Sequence, residues 1–249
     1  MTFSEYRTAL VTGASTGIGA VVVEHLARQG LQVHAVARDT DRLAALAART
    51  GCVPHAVDIT DTDALAGAVA GIDVDVLVNN AGVSRTGTVL TADAFAVDEQ
   101  VAVNLRAVLH LVRLLVPGMV ERDLGHVVNV SSIAGVYNFA GNTVYHATKS
   151  AVHTLSRQLR IDVFGRRVRV TEICPGRVET EIFGRLLGDM EEARRLYYEG
   201  YECLEPADIA DAVAYAIGAP PHVNIGHIEI LPTFQVPGGL GFHREREDA

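Results

Sequence analysis

Cysteine is scarce in this chain. Three cysteines, Cys52, Cys174 and Cys203, are spread over 249 residues, with neither the density of a disulfide framework nor the spacing of a zinc motif. They read as reduced thiols, and no metal-ligand pattern accompanies them. Positive charge is also short. Twenty-one Lys and Arg against thirty Asp and Glu leave a formal net charge of −9, which argues against nucleic acid or an anionic membrane as a partner. No apolar run approaches the ~20 residues of a membrane span. The opening residues lack the basic-then-apolar plan of a secretory signal, so a cytoplasmic protein is expected. Low-complexity linkers and internal repeats are missing too.

What is present is an alternation. Short β-branched runs at 8–11, 32–37, 53–57, 74–78, 126–130, 167–174 and 227–231 are separated by helical patterns at 18–29, 41–49, 61–69, 97–116, 144–164 and 206–217. Such βαβ units build a parallel sheet with helices on both faces. Near-continuous apolar strands such as Val76-Leu77-Val78 suit burial on both sides. Residues 1–249 therefore read as a single α/β domain. Segment 181–205 breaks the pattern, being mixed in charge with Tyr197, Tyr198 and Tyr201; it reads as a lid or as a solvated surface helix. The glycine-rich, apolar tail within 232–249 reads as an assembly segment.

Thr12-Gly13-Ala14-Ser15-Thr16-Gly17-Ile18-Gly19 follows the first strand and opens the first helix. Glycines there allow a tight turn and close approach of a pyrophosphate, which the helix N-terminus attracts. The spacing is Gly-x-x-x-Gly-x-Gly. At the end of the second strand, Val36-Ala37-Arg38-Asp39 puts Ala37 where NAD enzymes commonly carry an acid. Arg38 follows, suited to grip a 2′-phosphate with two parallel hydrogen bonds. The expected cofactor is NADP(H) in preference to NAD(H). Asp39 is the competing feature, because a strand end displaced by one residue reverses that choice.

Tyr145 and Lys149 lie four apart at the start of a helical pattern and so share a face. A phenol ordinarily titrates near 10; an adjacent ammonium favours the phenolate and should bring that value down. Ser132 ends a strand thirteen residues earlier, where a hydroxyl can hold a carbonyl oxygen beside the phenol.

Together, Thr12 to Gly19, Asn79-Asn80-Ala81-Gly82, Asn104, Ser132, Tyr145, Lys149 and Pro175-Gly176-x-Val178-x-Thr180 resemble the ordered motifs of short-chain dehydrogenases, over essentially the whole chain. The resemblance implies a single-domain Rossmann fold, a seven-stranded parallel sheet of order 3-2-1-4-5-6-7, and a homotetramer or homodimer. It implies Tyr145 as the acid/base, Lys149 on the nicotinamide ribose, Ser132 orienting substrate and Asn104 holding a water in a relay to Lys149. It also places the cofactor against Gly13, Ser15, Thr16, Gly17, Ile18, Gly19, Arg38, Asp58, Ile59, Asn80, Ala81, Gly82, Pro175, Gly176, Val178 and Thr180. Thr16 departs from the basic residue of many NADP-dependent members, which leaves the 2′-phosphate to Arg38.

Segments 139–145, 204–210 and 221–233 are similar to the branch of 3-hydroxy acid, serine-type dehydrogenases. That implies oxidation of a small 3-hydroxy acid or reduction of an acidic aldehyde. A broader ketoreductase is the second reading, and an NADP(H)-sensing regulator without turnover a third. A charged substrate needs a partner beside Tyr145. The candidates are Arg185 first, then Arg85 and Asn142; paired with Glu181 or Asp189, Arg185 would instead be a surface residue.

Overall fold

Side chains along each central strand alternate between two cores. The computed structural model of the protein describes residues 5–236, Gly239 and Gly241. Its strands are β1 (Thr8–Thr12), β2 (Gln32–Ala37), β3 (Val53–Ala56), β4 (Val76–Asn79), β5 (Gly125–Val130), β6 (Val168–Pro175) and β7 (His227–Ile230). They form one parallel sheet of order β3-β2-β1-β4-β5-β6-β7. In β1, Ala9 and Val11 face a core built with Val22, Val23 and Leu26 of helix α1 (Gly17–Arg28) and Ile209 and Val213 further along the chain. Leu10 faces the other core, with Leu65, Leu111 and Leu159. Period-two alternation with both sides apolar is what a strand covered on each face requires.

The helices start where short acceptors cap them. Asp39, Asp61 and Asp93 accept backbone N–H groups at the starts of α2 (Thr40–Thr50), α3 (Thr62–Val69) and α4 (Ala94–Val101), each cap contributing roughly 1 kcal/mol. Helix α6 (Thr143–Asp162) follows β5, and α9 (Pro206–Ile217) opens with proline and a Glu205–Asp208 capping box.

Two expected elements are divided differently. The helix read over 97–116 is α4, a π-helical stretch Ala102–Arg106 and α5 (Ala107–Glu121). Pro117 does not end it: the chain loses one backbone bond there, yet continues to bury Met119 against Gly125. By length and composition Ala94–Glu121 could cross a membrane, but Leu111, Leu115 and Met119 are packed into the second core. Segment 181–205 holds two helices, α7 (Ile182–Leu187) and α8 (Met190–Tyr197). Gly188 in the left-handed region ends the first, and the Asp189 carboxylate caps the second.

The sheet order reverses between β1 and β4, so their C-terminal ends leave a crevice at the switch point. The start of segment 232–249 is tied to its own chain. Gln235 is buried, accepts from Arg177 N at 2.8 Å and donates to Gly239 O at 2.8 Å. Pro237, Gly238, Leu240 and Phe242, named with that tail, fall outside the described residues.

Candidate active site

The crevice has an outer cleft and an inner pocket with shared walls. Gly13, Ser15, Thr16, Gly17, Ile18, Arg38, Asp58, Ile59, Asn80, Ala81, Gly82 and Thr180 border the cleft, as expected for cofactor residues. Gly13 and Gly17 have φ of 65° and 52°, a region open to glycine and strained for other residues. Gly19 stands behind the turn, where a Cβ would strike the Gly13 carbonyl. The turn is pinned to the β4 end: Thr12 Oγ1 accepts from Asn80 N and Ala81 N, both at 3.1 Å, and Asn80 Nδ2 donates to Thr12 O at 3.0 Å. The N–H groups of the first turn of α1 open on this cleft, a setting that fits a pyrophosphate.

Arg38 and Asp39 take different directions after β2. Strand β2 ends at Ala37, and the Asp39 side chain turns onto α2, accepting from Arg42 N at 3.0 Å. Arg38 borders the cleft with its guanidinium exposed, 3.8 Å from Asp58. Asp58 is tied through Oδ1 to the Thr60 N–H and hydroxyl, at 2.9 and 2.8 Å.

Ser132, Asn142, Tyr145, Lys149, Pro175, Gly176 and Val178 border the inner pocket, with Ile133, Phe139, Ile182 and Phe183 as apolar walls. Ser132 lies just beyond β5, which ends at Val130, and caps the following 3-10 turn, its Oγ accepting from Ala134 N at 3.1 Å. Lys149 is buried; its Nζ donates to Val130 O at 3.0 Å and lies 5.7 Å from the centre of the Tyr145 ring. Burial pulls this ammonium down to about 8.

The Tyr145 phenol departs from expectation. Burial pushes it up to about 12, opposed by a hydrogen bond with Ser132. Taking a phenolate out of water outweighs the help its surroundings give, because the same dry wall that raises the phenol also weakens the neighbouring ammonium. In this setting the Tyr145 phenol is neutral at pH 7.

Asn104 sits in the π-helical stretch, buried outside the pocket lining. Its Oδ1 accepts from Val83 N and its Nδ2 donates to Val83 O, both at 2.8 Å. A Cβ at Gly82 would stand 3.5 Å from Asn104 Oδ1 and 3.6 Å from Lys149 Nζ.

The two arginines expected beside the substrate stand elsewhere, and this corrects the sequence reading. Arg185 borders the outer cleft, donating to Thr16 Oγ1 at 3.2 Å and to Glu181 one helical turn away at 2.8 Å. Arg85 also borders the cleft and pairs with Glu99 at 2.7 Å. Asn142 alone of the three candidates borders the inner pocket. Its buried Oδ1 has no hydrogen-bond partner among the described residues.

Sequence reasoning missed Arg177, which borders the inner pocket, 8% exposed. It donates to Tyr197 O at 3.2 Å and stacks near the Tyr197 and Tyr201 rings. The signal was its place between Gly176 and Val178 of the recognised motif. Above it the lid is held by Phe183 stacked on Tyr197 at 4.2 Å and by Tyr198 Oη donating to Thr180 O at 2.8 Å.

Comparison with known proteins agrees with this geometry. Residues 7–191 match the short chain dehydrogenase family. Serine 3-dehydrogenase of Rhizobium radiobacter is 36% identical over 247 residues, covering 96% of this chain and 98% of that protein. The NADP-dependent 3-hydroxy acid dehydrogenase of Salmonella typhi is 37% identical over 246 residues, covering 94% and 98%. The closed form of serine dehydrogenase complexed with NADP+ superposes with a TM-score of 0.89 at 34% identity, covering 96% of this chain and 100% of that one.

Proposed function

The chain belongs to the short-chain dehydrogenase family, and from that premise we propose that it interconverts a small 3-hydroxy acid and its carbonyl form with NADP(H), using Tyr145 as the acid/base. One observation carries the reading: Ser132, Tyr145, Lys149 and Asn142 converge on a pocket sharing Ile18, Asn80, Gly82 and Thr180 with the cleft of the glycine turn. When bound, the nicotinamide supplies or takes the hydride.

This chain's own groups handle the proton. In reduction the neutral Tyr145 phenol gives its proton to the oxygen that becomes the alcohol. The Ser132 hydroxyl donates to the same oxygen and fixes it beside the phenol. In oxidation the phenol must ionise, and Lys149, about nine-tenths protonated at pH 7 if it titrates near 8, is the internal charge favouring that form. Preference for NADP over NAD is assigned to Arg38, which is available at the cleft while Asp39 is spent on its helix.

Small acidic substrates are favoured by the pocket's polar end. The orphan Asn142 oxygen suits a hydroxyl or ammonium donor, and Arg177 supplies a guanidinium-bearing wall. The names of the serine and 3-hydroxy acid relatives support the same class. The test compares small 3-hydroxy acids with their methyl esters under NADP+. The acids should show at least ~tenfold higher kcat/KM, because a site built for a polar group rejects an analogue that leaves it unpaired. Preference for the esters, or for bulky ketones in reduction, would replace this reading with a broader ketoreductase.

A further inference from the structure

Tyr145, Lys149 and His153 recur every fourth residue along α6, so His153 continues the helix face that carries the catalytic pair. Beneath it, β6 and β7 are in register with Glu172 opposite His227 and Cys174 opposite Glu229. Alternate residues of a strand share a face, which gathers chemistry-bearing side chains from three elements. Both imidazoles meet one carboxylate oxygen: His153 Nδ1 is 2.6 Å and His227 Nδ1 3.1 Å from Glu172 Oε2. A donor atom from each of the three residues lies within 4.8 Å of the other two. Cys174 Sγ is 3.9 Å from His227 Nδ1.

Glu172 is 1% exposed, and its Oε1 has no hydrogen-bond partner among the described residues. A buried carboxylate with unused acceptor capacity is costly, and the proposed reaction gives it no part. We propose that His153, Glu172 and His227 form a binding site for a divalent transition-metal ion, with zinc the best match. Two imidazoles and a carboxylate are a borderline-soft donor set, and three protein ligands leave a fourth position for water. Zinc–ligand bonds of about 2.0–2.1 Å place tetrahedral donors about 3.3 Å apart, so the two His–Glu edges need to open by less than about 1 Å and the third edge, within 4.8 Å, to close by up to about 1.5 Å. Glu172 forms the floor and the exposed His227 the mouth, which gives the ion a way in. The bound ion would tie the edge strand β7 to β6 and to the helix bearing Tyr145 and Lys149. The ligands lie 19 and 55 residues apart along the chain, so no local spacing pattern announces them.

The test is calorimetric titration of the metal-stripped full chain with Zn²⁺, for wild type, His153→Ala, His227→Ala and the shape-conserving Glu172→Gln, with thermal unfolding in parallel. One Zn²⁺ per wild-type chain and a raised Tm are expected, with affinity at least ~tenfold weaker in each variant. Absence of stoichiometric uptake by the wild type would overturn the site. So would uptake that persists in all three variants, which would put the ion elsewhere. Circular dichroism checks that each variant is folded, and the readout needs no turnover, so it stands apart from the proposed reaction.

Discussion

Lys149 is the one lysine in the chain, and it sits in a wall that penalises its charge. Its folded value of about 8 lies below the usual 10.5. Between those values the unfolded chain holds a proton that the folded chain does not, so stability rises with pH across that window. From pH 7 to pH 9.5 the gain attributable to this residue should be roughly 2 kcal/mol, measured by urea unfolding against Lys149→Met. Equal pH dependence in the two proteins would mean that the folded lysine titrates normally. Arg38 acts on the cofactor. A charge-assisted bidentate contact contributes about 1.5–3 kcal/mol, so Arg38→Ala should weaken NADPH by about ten- to a hundredfold and leave NADH nearly unchanged. Equal loss for both would make Arg38 structural. The polar residues that border the inner pocket were legible in the sequence because their spacing within strand–turn–helix units is local. The Tyr145 shift, Arg177 and the Arg185 placement were not, since each depends on which distant segment packs against it.

Elements were legible where the pattern is periodic. All seven strands lie within one residue of expectation at their C-terminal ends, and β2 and α9 match fully. The π-helical stretch at Ala102–Arg106 left no trace, because an extra residue per turn changes the packing of Asn104 without changing composition. The lid read as one segment, although Gly188-Asp189 punctuates it. Segment 181–205 is tied down by charge: Glu181 accepts from Arg42 of α2 at 2.9 Å and from Arg185 at 2.8 Å. These pairs are substantially exposed, so each is worth about 0–1 kcal/mol. Glu181→Ala should therefore change global stability by less than about 2 kcal/mol while opening the lid locally. Limited trypsin digestion should cleave after Arg185 several-fold faster in the variant. An unchanged cleavage rate would show that the aromatic contacts of Phe183 and Tyr198 hold the lid without Glu181.

At the scale of the whole molecule, large apolar side chains are left in the open. Phe95 of α4, Leu109 of α5 and Ile161 of α6, with Phe164 just beyond it, are exposed on the isolated chain. Patches of this kind mark association surfaces, and further copies of the chain are expected to cover them. Light scattering at micromolar concentration should return a mass of two or four chains, and a monomer would contradict this. The proposed reaction joins hydride and proton exchange at the sheet's switch point, beside the Tyr145 phenol. Its most direct measurement is the Tyr145→Phe variant, assayed for NADPH binding and for turnover of the preferred substrate. Loss of the hydroxyl removes the proton donor and little volume, so affinity for NADPH should stay within about twofold while turnover falls at least ~100-fold. Turnover near the wild-type rate, with NADPH still bound, would show that another group exchanges the proton.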